Sequence, residues 1–297
     1  MKVLQELLQP VSLGEFVQRH FTRFPYAMPN NATRYAHSFT EADFVGMVES
    51  SRSILRIVRD GRLVHDNARL TWAEAKAQHQ RGHTLLVRHA ERSCAKLQAL
   101  GDEFAQLFHA PVDIQVYLTP DRSQAFGWHY DLEEVFIVQI QGCKEYTIRQ
   151  NTLNPWPVWD NMPGDMPYDH ETSPLRLTCR LEAGDWLYIP SGWWHIAHTQ
   201  AESIHLSIGV LPVVRLKLFE FLTQRLARFP FWCQRLAWVQ ADETDDLVPR
   251  DPDKQLWEDM RAQLNSLLAQ EQTFDDFMAY LVDTKRTPRG ESPADYA

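Results

Sequence analysis

Short apolar runs fill the middle of the chain and predict a β-rich core over residues 111–213. These runs are rich in Val, Ile, Tyr and Trp, and Gly, Pro or Asp separates them: DIQVYLTP, VFIVQIQG, CKEYTIRQ, LRLTCRLEAG, DWLYIP and SIHLSIGVL. Short strands at such spacing are typical of an all-β sandwich or barrel. A proline-rich segment at 151–174 interrupts them, and a loop of that length is usually functional or disordered.

The regions on either side of this core have different patterns. Residues 1–110 alternate helical and extended signals, which predicts an α/β region packing on the barrel. Helix caps are expected at Ser12, Thr40 and Thr71, and a hairpin turn at Asp60-Gly61. Residues 214–297 return to helical periodicity, with helices expected near 254–270 and 273–284 and a disordered tail.

Composition and charge limit the classes of function. The chain has 297 residues and a net charge of -9, which disfavours sequence-blind nucleic-acid binding because that depends on Lys and Arg. Its 4 cysteines are widely spaced and resemble reduced thiols. The N-terminus lacks a signal-peptide pattern, and no apolar run approaches the ~18 residues of a membrane span. We therefore expect a cytoplasmic protein that does not enter a membrane.

The segment FGWHYDLEEVF contains two candidate metal ligands, His129 and Asp131. Side chains two positions apart on a strand point to the same face, so both would face the barrel interior. One imidazole and one carboxylate are two parts of the facial triad that binds non-haem Fe(II) and leaves coordination positions open. A second histidine from a distant strand would complete this site.

The segment GDWLYIPSGWWHIAHT is the best source of that second histidine. Three histidines compete for the position: His195, His198 and His205. Alternation along a strand places His195 and His198 on different faces. His195 is favoured because it follows the Pro190–Gly192 turn directly.

The two blocks YLTPDRSQAFGWHYDLEEVFIVQIQGCKEY and LEAGDWLYIPSGWWHIAHT resemble the JmjC-type cupin oxygenases. The resemblance is greatest to the ribosomal oxygenases and to the asparaginyl hydroxylase that inhibits hypoxia-inducible factor. It implies a fold that is mainly β with flanking helices, in which a double-stranded β-helix (jelly-roll, cupin) core precedes a C-terminal helical region. By the same resemblance, iron is held by His129, Asp131 and His195.

The resemblance also implies how a cosubstrate binds. Lys144 matches the family position that binds the distal carboxylate of 2-oxoglutarate, and a buried dicarboxylate does require a cation. Tyr117 matches a tyrosine that can hydrogen-bond the same carboxylate. Gln115 is a weaker candidate and a departure from the family's usual Asn. Ser207 and His205 are candidate site-lining groups on a late strand.

The implied chemistry needs no catalytic residue of the protein beyond the metal ligands. Fe(II) is the cofactor and 2-oxoglutarate the cosubstrate, and a substrate C–H bond is hydroxylated while 2-oxoglutarate is converted to succinate and CO₂. Trp186, Trp193 and Trp194 are expected to wall the barrel. Aromatic residues of the 151–174 loop, Trp156, Trp159 and Tyr168, are candidates to hold a peptide or planar group.

The substrate is expected to be a protein or peptide, with tRNA or a small molecule as alternatives. The C-terminal helices match, in position only, a helical dimerisation region of ribosomal oxygenases, which suggests a homodimer. Two other readings of the whole chain remain open. One is a cupin that uses another metal on a small molecule, and the other is a non-catalytic JmjC binding module.

Overall fold

The computed structural model describes residues 3–50, 52–163, 173–236, 238–244, 246–249 and 254–283. These residues divide into two compact units, with the boundary between Pro212 and Val213. The first unit contains helices α1–α6 and strands β1–β11. The second contains α7–α9 and β12–β13.

The first unit begins with helices and short strands and continues as a series of longer strands. Its helices are α1 (Val3–Leu8), α2 (Leu13–Arg19), α3 (Thr33–Ser38), α4 (Glu41–Val48), α5 (Trp72–Gln80) and α6 (Ala95–Phe108). Its strands are β1 (Tyr26–Met28), β2 (Ile54–Arg59), β3 (Arg62–Ala68), β4 (Thr84–Arg88), β5 (Val112–Thr119), β6 (Glu134–Gln141), β7 (Cys143–Arg149), β8 (Leu175–Glu182), β9 (Trp186–Ile189), β10 (Trp194–Thr199) and β11 (Ser203–Val210).

Two sheets form the β-rich core. The larger sheet has 8 strands in the order β1-β9-β6-β11-β5-β4-β2-β3, and the smaller has 3 in the order β10-β7-β8. All the pairings are antiparallel. The chain passes from one sheet to the other between β6 and β7 and again at β9, β10 and β11, as in a jelly roll. The mainly β, cupin-type fold with flanking helices is therefore confirmed.

The larger sheet has two faces of opposite character. On β5, β6 and β11, alternate apolar residues pack in one core cluster with helical residues such as Leu4, Phe16 and Phe104. The opposite face turns toward the smaller sheet, and a second apolar cluster, including Val135, Tyr146 and Ile148, fills part of that space. Because strand side chains alternate, one strand can serve the helical core and the intersheet space at once.

Local signals in the N-terminal region specify local structure as expected. Ser12, Thr40 and Thr71 cap α2, α4 and α5, and the last two form reciprocal capping boxes. Asp60 and Gly61 both have positive φ, which suits the tight turn between β2 and β3. The strands of this region join the 8-stranded sheet. The division at residues 110 and 213 stays a prediction.

Two structural expectations were wrong. His129 and Asp131 do not lie on a regular strand: His129 makes an isolated bridge to His195, and Asp131 lies in the irregular segment before β6. Trp186 does not wall the barrel interior, because it packs in the helix-facing core and donates its indole N–H to the carbonyl of Leu7. Trp193, by contrast, packs between the sheets as expected.

The second unit is mostly helical. It contains α7 (Lys217–Leu226), α8 (Lys254–Leu268), α9 (Glu271–Val282) and a short hairpin of β12 (Val239–Ala241) with β13 (Leu247–Pro249). Phe221, Leu222 and Leu267 form its small buried core. Arg225 forms an ion pair with Asp276, joining α7 to α9. Among the described residues of the whole chain, no helix is long and apolar enough to cross a bilayer.

Candidate metal and cosubstrate site

A cavity of about 700 Å³ lies between the two sheets. The candidate residues His129, Asp131, His195, Lys144, Tyr117, Gln115 and Ser207 all line it, as does His205. Those on β5 and β11 come from the larger sheet, and those on β7 and β10 come from the smaller. The structure thus brings all the predicted site residues to one space, although the segments that carry them are far apart in sequence.

His129, Asp131 and His195 form a compact cluster at this cavity. One ligand atom from each lies within 4.8 Å of the others, and His195 Nε2 is 3.4 Å from Asp131 Oδ2. Backbone hydrogen bonds in both directions between His129 and His195, of 3.1 and 2.8 Å, fix the two histidines side by side. This isolated bridge, rather than strand alternation, sets the geometry of the cluster.

The two imidazoles have a fixed orientation. His129 Nδ1 is 2.8 Å from the carbonyl oxygen of Gly127, and His195 Nδ1 is 3.0 Å from that of Trp193. Each Nδ1 therefore carries the proton, which leaves the lone pair on Nε2. Burial and the neighbouring His129 lower the pKa of His195 to about 4, so this ring stays neutral. Neutral imidazoles with Nδ1 bonded to a carbonyl are the usual metal-binding form.

Gly192 allows the turn before His195 to pack closely. It has a φ of +79°, and a Cβ there would lie 2.8 Å from the carbonyl oxygen of Pro155. Its amide also donates a 2.9 Å hydrogen bond to the carbonyl of Asp131. A larger residue would therefore displace the backbone that holds His195 against the segment of His129 and Asp131.

The other two competing histidines have different environments. His198 is exposed on β10, opposite Glu145 of β7. His205 is buried on β11, and Lys144 Nζ donates a hydrogen bond of 3.1 Å to its Nδ1. Burial and Lys144 hold the pKa of His205 well below its usual value. Neither histidine belongs to the His129 cluster.

Lys144 is buried in the cavity wall, only 2% exposed. Its ammonium group also donates a 3.2 Å hydrogen bond to Thr119 Oγ1 and lies 5.6 Å from the centre of the Tyr117 ring. Burial lowers the pKa of Lys144 to about 7. No carboxylate among the described residues forms an ion pair with it, and a buried cation without an anion is unfavourable unless a ligand supplies one.

A line of polar side chains on β5 borders the same space. Tyr117 Oη donates a 2.8 Å hydrogen bond to Gln115 Oε1, and Gln115 Nε2 donates a 3.1 Å bond to Asp113 Oδ2. The Tyr117 ring stacks on His205 at 4.6 Å. Burial and the charge of Asp131 raise the pKa of Tyr117, so it remains a hydrogen-bond donor. Gln115 thus orients Tyr117 through a hydrogen bond.

Several cavity residues were missed by the sequence interpretation. Asp113 precedes Gln115 and Tyr117 in the same two-residue alternation, which would have identified it. Burial opposes its ionisation, but a hydrogen bond from His89 and the charges of His89 and Arg88 lower its pKa. Glu133 lies two positions after Asp131. Burial, with Asp131 and Asp113 nearby, raises the pKa of Glu133 to about 8.

The predicted aromatic residues of the 151–174 loop differ in position. Trp159 lines the cavity with Met162 and Pro163. Trp156 is 83% exposed and does not line it. Tyr168 lies outside the described residues. Trp194 packs edge-on against Tyr130, itself a cavity-lining residue.

The double-stranded cupin fold and its cavity with two histidines and one aspartate agree with the resemblance seen in the sequence. Residues 90–216 match the JmjC domain family, and the resemblance seen in the sequence is thereby confirmed.

Relatives with curated names and solved structures agree with this family. The chain is 26% identical over 216 residues to the bifunctional lysine-specific demethylase and histidyl-hydroxylase NO66 of Drosophila persimilis, an alignment covering 70% of this chain and 31% of that protein. It is also 36% identical over 107 residues to the NO66 protein of Drosophila yakuba. This alignment covers 35% of this chain and 16% of that protein. The chain thus spans about a third or less of these relatives' lengths.

The fold also matches solved structures of YcfD from Escherichia coli. One X-ray structure aligns with a TM-score of 0.67 at 18% identity, covering 95% of this chain and 74% of that one. Another, a ribosomal oxygenase in complex with cobalt and 2-oxoglutarate, aligns with a TM-score of 0.65 at 18% identity. This alignment covers 92% of this chain and 71% of that one. At this identity the match concerns the fold.

Proposed function

We propose that this chain is an Fe(II)- and 2-oxoglutarate-dependent oxygenase that hydroxylates a C–H bond of a protein side chain. The observation that carries the proposal is that one cavity contains both a candidate metal site and a candidate carboxylate-binding cation. These are the His129–Asp131–His195 cluster and the buried Lys144. Two imidazoles and one carboxylate fit Fe(II) and leave coordination positions for a chelating cosubstrate and dioxygen.

Lys144, Tyr117 and Thr119 are suited to bind the distal carboxylate of 2-oxoglutarate. The ammonium supplies the charge, and the Tyr117 hydroxyl becomes a second donor when it exchanges its bond to Gln115 for one to the ligand carboxylate. His205, as a neutral acceptor, directs one Lys144 N–H and supports the Tyr117 ring. Ser207 lies two residues from His205 on the same face of β11 and also lines the cavity.

The reaction balances without a protein acid or base. A substrate R–H, dioxygen and 2-oxoglutarate give R–OH, succinate and CO₂, and the bound iron supplies the oxidising chemistry. The protein binds and orients 2-oxoglutarate through Lys144, places the substrate C–H bond near the metal ligands, and limits the access of water from two sides because the cavity lies between both sheets.

A protein substrate is favoured by the relatives, whose names describe a histidyl-hydroxylase, a lysine-specific demethylase and a ribosomal oxygenase. tRNA and small molecules remain alternatives for the assay. A homodimer through residues 214–297 and a cytoplasmic location stay predictions.

The test is anaerobic reconstitution of the purified chain with Fe(II), followed by titration with 2-oxoglutarate. Chelation by both groups is expected to produce a weak visible charge-transfer band. Asp131→Ala should abolish the band, and Lys144→Ala should weaken it at a given 2-oxoglutarate concentration. Glu145→Gln, an exposed change next to Lys144 on the opposite face of β7, is the control.

Absence of both the band and 2-oxoglutarate affinity in the wild-type protein would contradict the proposal. Metal content after purification without chelator would then separate the remaining readings. A different stoichiometric metal would indicate a cupin that uses that metal on a small molecule. No stoichiometric metal would indicate a non-catalytic JmjC binding module.

A further inference from the structure

The segment that carries two of the metal ligands has little regular backbone support. His129 forms the isolated bridge to His195, but Tyr130 and Asp131 lie outside the ladders of β6 and β10. Besides that bridge, a 2.9 Å hydrogen bond from the Gly192 amide to the Asp131 carbonyl holds the segment. The Asp131 side chain is 35% exposed, so burial alone does not fix its carboxylate. The side-chain contacts of the intervening Tyr130 are therefore a further restraint on this ligand.

Tyr130 is held on two sides. Its side chain is buried, and its ring packs edge-on against Trp194 at 4.6 Å. Its hydroxyl accepts a 3.3 Å hydrogen bond from Asn154 Nδ2. Trp194 directly precedes His195, whereas Asn154 belongs to the loop between β7 and β8. The residue between two metal ligands is thus fixed by the neighbour of the third ligand and by a separate loop.

The loop around Asn154 is itself ordered by asparagine side chains. Asn151 Oδ1 accepts hydrogen bonds from the backbone N–H of Asn154 and from that of the residue before it, at 2.8 and 3.1 Å. Asn154 Nδ2 also lies 3.2 Å from both the carbonyl oxygen and Oδ1 of Asn161. The N–H of Val158 donates a 2.7 Å hydrogen bond to the same Oδ1. Such local side-chain bonds to the backbone are typical of turns, and they give Asn154 a defined position beside Tyr130.

This loop contacts the metal-ligand segments on one side and the cavity on another. A Cβ at Gly192 would lie 2.8 Å from the carbonyl oxygen of Pro155 and 2.8 Å from Pro157 Cδ, so the loop packs directly on the turn before the third ligand. Three of its residues line the cavity: Trp159, Met162 and Pro163. Through the bond from Asn154 to Tyr130, the same loop is also tied to the segment between the first two ligands.

We propose that Asn154 is a positioning residue for the metal ligands and acts through its hydrogen bond to the Tyr130 hydroxyl. The bond fixes the Tyr130 side chain, and the peptide units on either side of Tyr130 carry His129 and Asp131. The inference rests on the proposed oxygenase function, because it concerns the metal that this function requires. Removing a partner outside the ligand set typically weakens metal binding by about 10- to 100-fold, because the ligands lose their orientation.

The experiment measures metal binding without turnover. The full chain is freed of metal and titrated with Co(II), whose visible absorption bands report both affinity and coordination geometry. Asn154→Ala and Tyr130→Phe should each weaken Co(II) binding by about tenfold and alter the bands. The double variant should also lose about tenfold rather than about a hundredfold, because both changes remove the same hydrogen bond.

Asn31→Ala is the matched control. The Asn31 amide also ties one segment of the chain to another, because it donates hydrogen bonds to the carbonyls of Leu7 and Gln9 beside α1. This variant should lower thermal stability as Asn154→Ala does, but it should keep the Co(II) affinity and the absorption bands of the wild-type protein. The comparison separates a loss of ligand position from a general loss of stability.

The inference is overturned if the wild-type protein binds Co(II) and the folded Asn154→Ala and Tyr130→Phe variants keep its affinity and bands. Losses that add to about a hundredfold in the double variant, or an equal loss in Asn31→Ala, would also overturn it. If Asn154→Ala does not fold, Tyr130→Phe decides, and a wild-type affinity in that variant overturns the inference. Failure of the wild-type chain to bind Co(II) contradicts the oxygenase proposal itself, and the inference with it.

Discussion

The two faces of β5 show how one strand serves stability and chemistry at the same time. Ile114, Val116 and Leu118 point into the helix-packed core, where each is at most 7% exposed. Between them, Asp113, Gln115 and Tyr117 point into the cavity and bond to one another. β11 repeats the division, with Leu206 and Ile208 in the core and His205 and Ser207 on the cavity.

The cavity face of the sheet therefore carries the unfavourable burial of polar groups, and the apolar burial on the helix-facing side offsets it. Apolar burial contributes roughly 25 cal/mol per Å², so the helix-facing side is the source of stability. The cavity face holds a lysine, histidines and acids whose burial is unfavourable until ligands arrive. Changes on the two faces should therefore separate stability from ligand binding.

The largest expected effect is on stability, from Phe136→Ala on the helix-facing side of β6. Phe136 is fully buried, and its ring packs against those of Phe104 and Tyr188 at 5.2 and 4.9 Å. Removing it should lower the free energy of unfolding by about 3–5 kcal/mol, because a cavity forms in the core. Urea denaturation measures this, and Ser207→Ala on the cavity face is the control with little expected change. Equal losses of stability in both variants would contradict the assignment of stability to the helix-facing side.

The next effect is on ligand binding, from Lys144→Met on the cavity side. Loss of the buried cation should weaken 2-oxoglutarate binding by about a hundredfold, since the ligand's carboxylate would be left unpaired. Removal of a buried ammonium should also raise the free energy of unfolding by about 1 kcal/mol or more. Calorimetry and urea denaturation measure the two changes. A variant that is less stable yet binds 2-oxoglutarate normally would contradict this function for Lys144.

A smaller effect is expected from pH. The pKa of Lys144 is lowered to about 7, below its unfolded value, and a bound carboxylate favours the charged form. The affinity for 2-oxoglutarate should thus fall as pH rises above 7, approaching about tenfold per pH unit because binding must then take up a proton. With no ligand, the sign for stability is opposite: the buried lysine's cost is fully present below pH 7 and decreases as pH rises toward the unfolded pKa.

Calorimetry in two buffers of different ionisation enthalpy would detect this proton uptake. Lys144→Met is the control and should lose the uptake along with most of the affinity. An affinity independent of pH between 7 and 9 in the wild-type protein would show that Lys144 is already charged before the ligand binds.

The smallest effect is expected from Tyr117→Phe, which removes one hydroxyl from the cavity face. The affinity for 2-oxoglutarate should fall by about threefold to tenfold, the value of one hydrogen bond. Gln115→Leu should have a weaker effect of the same sign, because Gln115 acts only through the Tyr117 hydroxyl. If Gln115→Leu reduced affinity more than Tyr117→Phe, Gln115 itself would be the ligand-binding group.

Much of this protein follows from the sequence alone. Caps at Ser12, Thr40 and Thr71, the Asp60-Gly61 turn and nearly all core strands follow from local patterns, because hydrogen bonds and alternation there involve residues close in sequence. The segments FGWHYDLEEVF and GDWLYIPSGWWHIAHT indicated the candidate metal ligands, and the family resemblance indicated Lys144 and Tyr117. All of these line the cavity.

Only the tertiary structure decided which partners meet. The irregular segment around His129 replaced the predicted strand, because a two-way backbone bridge to His195 fixes the pair across 66 positions of sequence. The Trp186 side chain packs against the helices rather than inside the barrel, because its indole N–H donates a hydrogen bond to the carbonyl oxygen of Leu7. His198 and His205 could be told apart only by burial. These features depend on contacts between distant segments, which periodicity along one strand does not encode.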